Sequence, residues 1–471
     1  MKKIAGSLKI IIKKYIFKRQ VLLLIFLIVI NYYFNACVPQ QKIIILPEKI
    51  TGRRYLSSEI KNKSELLNAL YLNRIDEVEL FINNNFRSSS SGIYTSEYLL
   101  YEGIILYRKN NLKKAKAVME EALTKAFLFD SSWKNIIQSN LRYIYYDLKE
   151  FNKLYYLEKE TGEVSPFVNF LNDLSNEENY EIKTFDSSVT VPLKDFKGEL
   201  RVPITINGKD EEYFIIDTAS SLTVISSELA QKYKIKIINE GTAGYADIHL
   251  NSVVSVKYGK LDAIQIGDVT IYNIPVGIID SESLTWKYMG GLFTYSKIDG
   301  ILGLPVIREF TTTLDFPKKT LTLSLKNNSL PSTALKYNIF MVNSFIYVPV
   351  EMNGICGFNF CIDTGAEMTE LYETGLKYLK QSSSTEIVIE ESEGKKIENI
   401  YGEKKVLGIF YPNKFIINNY TLENLPILIS THNFSQFPIE EHGNLGLNVL
   451  KNFNITLDFK NMKMYLFSRK P

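Results

Sequence analysis

The chain has 471 residues, a length that suggests about three domains, each with enough material for its own core. Its 55 basic and 52 acidic residues give a net charge of +3, which argues against a nucleic-acid binder and against a disordered tail protein. Three cysteines and three histidines exclude a disulfide framework and argue against a zinc site. We therefore expect no metal and no other cofactor.

The N-terminus has the composition of a targeting signal. Residues 1–20 carry seven basic residues and no acidic one, and a mostly apolar run follows from Val21 to Ile30. This run is shorter than the roughly 20 residues that a membrane-spanning helix needs, so a signal segment over residues 1–37 is predicted. Because basic residues stay on the cytoplasmic side, the rest of the chain is expected outside the cytoplasm.

The end of this segment, Phe34-Asn35-Ala36-Cys37, resembles the lipobox of bacterial lipoproteins. The resemblance implies that Cys37 carries lipid and that the protein is tethered to a membrane, in the periplasm or at the cell surface. The alternative is an uncleaved signal-anchor helix. Both alternatives predict a membrane-anchored protein that faces outward.

Residues 38–180, here called the helical segment, lack the alternation of strands and are predicted to be helical. Turn-like positions at Asn73, Asn110 and Lys149 lie 37 and 39 residues apart. That spacing weakly resembles tetratricopeptide-like repeats, and an irregular helical bundle is the alternative. Such a segment could bind a protein partner or position a catalytic domain.

From about residue 185 the sequence changes to short β-branched runs, and it contains an internal duplication. Residues 201–220 align without a gap on 347–366 with eight identities, and residues 300–316 align on 443–459. These alignments predict two related β units, lobe 1 (185–326) and lobe 2 (339–471), which are joined by a linker over residues 327–338.

Each copy is predicted to begin with a β-hairpin that turns at Asn-Gly, at Asn207-Gly208 in lobe 1 and at Asn353-Gly354 in lobe 2. The returning strand of each hairpin ends in Asp-Thr, at Asp217 and at Asp363. About 80 residues later, lobe 1 has a block of two apolar residues and a glycine, and the aligned block of lobe 2 has one apolar residue before its glycine.

A strand that ends in Asp-Thr-Gly-Ala and is followed by such a block resembles the aspartic peptidases, on the retropepsin-like and pepsin-like side of that clan. The resemblance implies two all-β duplicated retropepsin-like lobes. Together with the all-α helical-repeat-like segment before them, they predict a multidomain fold. It implies that Asp217 and Asp363 are the catalytic pair and that Thr218 and Thr364 join the two loops. The other residues expected to support the pair are Ala219, Ser220, Gly365 and Ala366.

The chemistry of a carboxyl pair agrees with this arrangement. Two carboxylates about 3 Å apart share one proton, so that one of them can act as a base on water while the other polarises a carbonyl. The sequence therefore predicts an aspartic endopeptidase that acts on an extended peptide or protein. The alternative is a non-catalytic peptide-binding scaffold with degenerate lobes.

Four residues carry more specific expectations. Ala219 stands where the family has glycine, which would cost on the order of 1 kcal/mol if the backbone there required a positive φ. Asn444 stands where an apolar residue is expected. Ser220 is expected to donate to Asp217, which would make Asp217 the more readily ionised carboxyl. Tyr245, in a run of small residues, is a candidate for a flap over the cleft.

Overall fold

The computed structural model describes most of the chain after residue 60 and one short strand before it. The described residues are 42–45, 60, 63–85, 95–129, 133–162, 164–175, 180–184, 187–196, 199–239, 255–288, 293–325, 335–383, 387–391, 396–399, 402–418, 420–431, 435–436 and 439–468.

Helices dominate the part of the chain before residue 180 and are short thereafter. They are α1 (Lys63–Tyr71), α2 (Ile75–Asn85), α3 (Ser96–Arg108), α4 (Leu112–Phe129), α5 (Lys134–Asp147), α6 (Phe151–Thr161), α7 (Pro166–Ser175), α8 (Ser227–Tyr233), α9 (Leu304–Ile307), α10 (Glu373–Ser382) and α11 (Leu447–Leu450). Among the residues listed above, no helix is both long and apolar enough to cross a bilayer.

Strands make up most of the remainder. Up to residue 325 they are β1 (Lys42–Ile45), β2 (Glu181–Thr184), β3 (Ser188–Pro192), β4 (Lys194–Phe196), β5 (Glu199–Ile206), β6 (Glu211–Asp217), β7 (Thr223–Ser226), β8 (Lys236–Asn239), β9 (Val256–Ile266), β10 (Val269–Ile279), β11 (Thr285–Tyr288), β12 (Phe293–Lys297), β13 (Gly300–Gly303), β14 (Thr311–Asp315) and β15 (Thr320–Ser324).

The later strands belong to the second β region. They are β16 (Leu335–Asn338), β17 (Phe340–Val342), β18 (Phe345–Met352), β19 (Ile355–Ile362), β20 (Glu370–Tyr372), β21 (Ile389–Glu391), β22 (Lys396–Asn399), β23 (Gly402–Phe410), β24 (Phe415–Ile417), β25 (Tyr420–Glu423), β26 (Ile427–Ser430), β27 (Ser435–Gln436), β28 (Ile439–Glu440), β29 (Gly443–Leu445), β30 (Phe453–Asp458) and β31 (Lys463–Ser468).

The helical segment contains helical hairpins whose turns fall at the three positions singled out in the sequence. Asn73, Asn110 and Lys149 have φ values of 56°, 55° and 59°, and they separate α1 from α2, α3 from α4, and α5 from α6. This left-handed conformation lets the chain reverse between two helices. In the α3–α4 pair, Gly103 allows close packing, because a Cβ there would lie 2.7 Å from Met119. The likeness to tetratricopeptide repeats stays a prediction.

Two large sheets follow, and each contains the predicted hairpin. The first has nine strands in the order β2-β10-β7-β13-β6-β5-β9-β8, with β4 beside β5, and the second has twelve strands built around β18, β19, β29 and β20. In the β5–β6 turn, Asn207 and Gly208 have φ values of 50° and 66°; in the β18–β19 turn, Asn353 and Gly354 have 52° and 80°. A positive φ at both positions is the geometry for which Asn-Gly is favoured.

Two predicted boundaries are wrong at the level of single strands. β1, assigned to the helical segment, pairs antiparallel with β25 and is the edge strand of the sheet of lobe 2. β16, assigned to the linker, pairs with β31. In both cases a strand is defined by a partner far away in sequence, which local composition does not reveal.

A six-stranded sheet contains strands from both β regions, in the order β16-β31-β30-β14-β15-β3. Its two central strands, β14 and β30, pair antiparallel, with Thr313 opposite Thr456. The Oγ1 atoms of these two threonines are 2.7 Å apart. Because both residues occupy the same position of the duplicated block, the centre of the sheet lies on an approximate two-fold axis.

The helical segment contacts both β regions through buried polar side chains. Tyr107 donates to Asp147 Oδ2 at 2.7 Å and accepts from the backbone N–H of Ser344 in lobe 2 at 2.9 Å. The side chain of Asp147 is fully buried and forms an ion pair with Arg308 of lobe 1. In addition, Asn110 Nδ2 donates to the backbone carbonyl of Phe459 in lobe 2 at 2.8 Å.

Candidate active site

The two Asp-Thr motifs lie at equivalent strand ends. β6 runs parallel to β13, with Asp217 opposite Gly303. β19 runs parallel to β29, and the N–H of Asp363, one residue beyond β19, donates to the carbonyl of Leu445 at 3.1 Å. Each aspartate therefore begins a loop that leaves a central strand, supported by the neighbouring parallel strand. Both aspartates are half-buried.

Reciprocal hydrogen bonds between two buried threonines join the loops. The N–H of Thr218 donates to Thr364 Oγ1 at 3.1 Å, and the N–H of Thr364 donates to Thr218 Oγ1 at 3.2 Å. Each hydroxyl in turn donates to a carbonyl of the opposite region, Thr218 to Ile362 at 2.6 Å and Thr364 to Ile216 at 2.7 Å. Four bonds thus fix one aspartate relative to the other.

Backbone N–H groups of the two loops point at the carboxylates. The N–H of Ala219 donates to Asp217 Oδ1 at 2.8 Å. The N–H groups of Gly365 and Ala366 both donate to Asp363 Oδ1 at 2.9 Å. Such bonds favour the ionised form of a carboxyl.

Burial and mutual repulsion act in the opposite direction. Burial, followed by the neighbouring charge of Asp363, raises the pKa of Asp217, while the N–H groups of Ala219 and Ser220 lower it. Burial also raises the pKa of Asp363. Two adjacent carboxyls with raised pKa values titrate as a pair that holds a proton into the acidic to neutral range.

Gly365 is required by a close contact and not by its backbone conformation. A Cβ at this position would lie 2.7 Å from both Cγ and Oδ2 of Asp217, a distance that real Cβ atoms do not adopt. Neither Gly365 nor Ala219 has a positive φ. The expected strain at Ala219 is therefore absent, and its methyl group packs beside an apolar cluster that includes Tyr347 and Cys361.

The expectation for Ser220 is wrong. Its hydroxyl donates to the backbone carbonyl of Leu222 at 2.7 Å, which uses the one proton that the hydroxyl can give. Among the described residues, Asp217 therefore receives backbone N–H groups from this loop and not the Ser220 hydroxyl. The local sequence did not exclude this outcome, because serine often bonds to backbone two residues away.

Asn444 is the contact that sequence reasoning missed. Its Nδ2 donates to Asp363 Oδ2 at 2.9 Å, and its Oδ1 accepts from the N–H of Glu370 at 3.0 Å. This bond is the largest influence that lowers the pKa of Asp363. The signal in the sequence is the asparagine itself, a polar residue where the aligned block of lobe 1 has Ile301.

Two further predicted site residues lie outside the described part of the chain. Tyr245 and Cys37 are both outside. In lobe 2, β22 pairs antiparallel with the start of β23 and forms a hairpin. Within the described residues, no group of three or more His, Cys, Asp or Glu could hold a metal ion.

Comparison with known proteins gives one finding for this region. Residues 202–306 match a family model described as aspartyl protease. The matched stretch runs from β5 to α9 and includes Asp217, Thr218 and the β13 block. No curated protein matches the chain.

Proposed function

We propose that this protein is an aspartic endopeptidase in which Asp217 and Asp363 form one catalytic pair within a single chain. The observation that carries the proposal is the reciprocal bonding of Thr218 and Thr364, which holds the two aspartate loops together. The family match over residues 202–306 supports the same activity for lobe 1.

The chemistry follows from a carboxyl pair that shares one proton. The ionised carboxylate takes a proton from a water molecule while the oxygen of this water attacks the scissile carbonyl carbon. At the same time the protonated carboxyl gives its proton to the carbonyl oxygen. Collapse of the tetrahedral intermediate then breaks the C–N bond. The carboxyl that took the proton from water now protonates the leaving nitrogen. The other carboxylate takes a proton back from a hydroxyl of the tetrahedral intermediate. The pair returns to its starting state.

The substrate we propose is an extended peptide or an unfolded stretch of protein, bound as an added strand between the two lobes. The helical segment would bind a partner or hold the lobes in place, and its contacts with Ser344 and Arg308 support the second role. The signal-like residues 1–37 would tether the protein to a membrane outside the cytoplasm. This tether rests on sequence alone.

Cleavage of a mixed peptide library by the full chain, read by mass spectrometry between pH 3 and 8, tests the activity. Asp217→Asn and Asp363→Asn should each lower the rate by about three orders of magnitude or more, and the double variant should lose little further, because the two residues act as a unit. Asp262→Asn, whose side chain is 74% exposed, is the matched control and should cleave normally. A wild-type protein that binds peptides without cleaving them would favour the scaffold alternative.

A further inference from the structure

The two aspartates have different surroundings, although their loops match. In lobe 1 a small apolar cluster includes Ile215, two residues before Asp217, and three other positions of this cluster are polar in lobe 2. The lobe 1 residues are Val224, Ile279 and Ile301, and their lobe 2 counterparts are Glu370, Ser430 and Asn444. The counterparts are matched by strand register, since Ile301 pairs with Val224 as Asn444 pairs with Glu370.

The three polar residues form a hydrogen-bonded chain that ends at Asp363. Ser430 Oγ donates to Glu370 Oε2 at 2.9 Å, and the backbone N–H of Glu370 donates to Asn444 Oδ1 at 3.0 Å. Because Oδ1 of Asn444 accepts this bond, the atom that faces Asp363 must be the amide nitrogen, which can only donate. Asn444 is 6% exposed, so water competes little for this amide.

A donor fixed in this way distinguishes the two states of Asp363. The ionised carboxylate can accept from Asn444 at Oδ2 and from two backbone N–H groups at Oδ1. A proton on Oδ2 would remove the negative charge and occupy one lone pair of that oxygen, so the neutral carboxyl would accept more weakly from Asn444 Nδ2, which lies 2.9 Å from Oδ2. In lobe 1 the corresponding residue is Ile301, whose side chain has no hydrogen-bond donor for Asp217.

We propose that Asn444 is a positioning residue that keeps Asp363 as the ionised member of the pair and leaves the shared proton on Asp217. This inference rests on the proposed function and assigns its roles. Asp363 takes the proton from water, and Asp217 protonates the scissile carbonyl oxygen. The assignment reverses the one expected from Ser220, whose hydroxyl bonds elsewhere.

The other titratable groups around Asp363 are compatible with this assignment. Asp217 faces it from lobe 1, and the charge of Glu370 acts to raise the pKa of Asp363, against Asn444. Burial raises the pKa of Cys361 and of Tyr372, so both stay neutral near pH 7 and add no charge beside the pair.

The pH dependence of kcat/KM tests the inference. Asn444→Ile introduces the residue that lobe 1 has at position 301 and removes a hydrogen-bond donor to a charged acceptor. It should shift the acidic limb of the plot of kcat/KM against pH to higher pH by about one to two units. Asn444→Asp keeps the size and the acceptor for Glu370 but places a carboxyl against Asp363, and it should move the limb at least as far. Asn140→Leu, at a buried amide of α5 that donates to the carbonyl of Ile136, is the matched control and should leave the limb in place. An unmoved limb in both folded Asn444 variants overturns the inference.

A chemical test works without any catalytic activity. An epoxide alkylates an ionised carboxylate, whereas a diazoacetyl reagent takes up the proton of a neutral carboxyl and esterifies it with loss of N₂. In the full-length wild type near pH 5, the epoxide should label Asp363 and the diazoacetyl reagent Asp217, as read by peptide mass spectrometry, and Asn444→Ile should lose this selectivity. The opposite labelling overturns the inference even if peptides are cleaved. The expected labelling without cleavage leaves the inference standing and rejects the proposed function.

Discussion

The phenol of Tyr146, near the C-terminal end of α5, donates a 2.6 Å hydrogen bond to the backbone carbonyl of Ser221, four residues after Asp217. Ser221 follows directly on the loop that carries the Asp217 carboxyl. The helical segment therefore contacts the residue that directly follows the Asp217 loop, in addition to its other contacts with the two lobes.

Tyr146→Phe should lower both stability and turnover. Loss of one hydrogen bond is expected to reduce the free energy of unfolding by about 1 kcal/mol and, by loosening the loop, to reduce kcat a few-fold. Urea denaturation and peptide cleavage measure the two effects. Tyr156→Phe, at a side chain that is 62% exposed, is the control. If both variants behave alike, the contact with Ser221 has no role.

Thr218→Val should abolish cleavage while leaving the protein folded. The change removes a hydroxyl that donates to Ile362 and accepts from the N–H of Thr364, so two buried backbone groups lose their partner, at about 1–3 kcal/mol each. Thr364→Val should act similarly, and the two losses of stability should not add, because the residues share their bonds.

Thr313→Val provides the comparison for that pair. Thr313 also bonds to a threonine near the two-fold axis, but it does so in the six-stranded sheet and contacts neither aspartate. It should lose about 1 kcal/mol of stability and keep its cleavage rate. Equal loss of activity in Thr313→Val and Thr218→Val would mean that the threonine bonds act only through global stability.

Gly365→Ala should abolish the proposed peptide cleavage, whereas Ala219→Gly should not. A methyl group at residue 365 would meet the carboxyl of Asp217 at 2.7 Å and displace it. Removal of the Ala219 methyl loses some packing and adds backbone freedom, at about 1 kcal/mol. Single-turnover cleavage and thermal unfolding separate the two effects. An active Gly365→Ala would show that the Asp217 carboxyl can move without loss of function.

The raised pKa of Asp217 predicts a specific dependence of stability on pH. The folded state holds a proton that the unfolded chain releases at about pH 4, so stability is greatest at low pH and falls as pH rises from about 4 through the raised pKa. Asp217→Asn cannot ionise and should be more stable relative to wild type at pH 7 than at pH 4.5. Urea midpoints of both proteins at the two pH values measure this, and a constant difference would contradict it.

Cys37→Ser should prevent lipid attachment. The basis is the sequence Phe34-Asn35-Ala36-Cys37 after a basic and apolar segment. Metabolic labelling with a fatty acid should label the wild type, and Cys356→Ser should retain the label. An unlabelled wild-type protein that still fractionates with membranes would favour the signal-anchor alternative.

Much of the fold could be read from local sequence. Asn-Gly between two apolar runs encodes its turn through two residues that tolerate a positive φ, so both hairpins were predictable from the positions around Asn207 and Asn353. The helical turn at Asn110 was predictable in the same way, because its conformation depends on neighbouring residues.

What could not be predicted depends on partners distant in sequence. The need for glycine at residue 365 comes from the carboxyl of Asp217, 148 positions away, and not from its own φ. In the sequence, Asn444 is only a polar residue at a position where an apolar one is expected, and its role depends on its contact with Asp363. The strand β1 exists because β25 offers it an edge. A single sequence contains these residues but not their proximity.

The centre of the six-stranded sheet has the geometry of a homodimer interface. Antiparallel pairing is two-fold symmetric, and β14 meets β30 with Thr313 opposite its own counterpart, Thr456. A polypeptide limited to residues 180–325 would expose β14 as an unpaired edge, and a second copy could occupy it with Thr313 opposite Thr313. Such an isologous pair would bring two copies of Asp217 toward one axis. In a symmetric dimer both aspartates would have identical neighbours. Because the two copies are joined in one chain, they can differ, with Ile301 in lobe 1 at the position that Asn444 has in lobe 2.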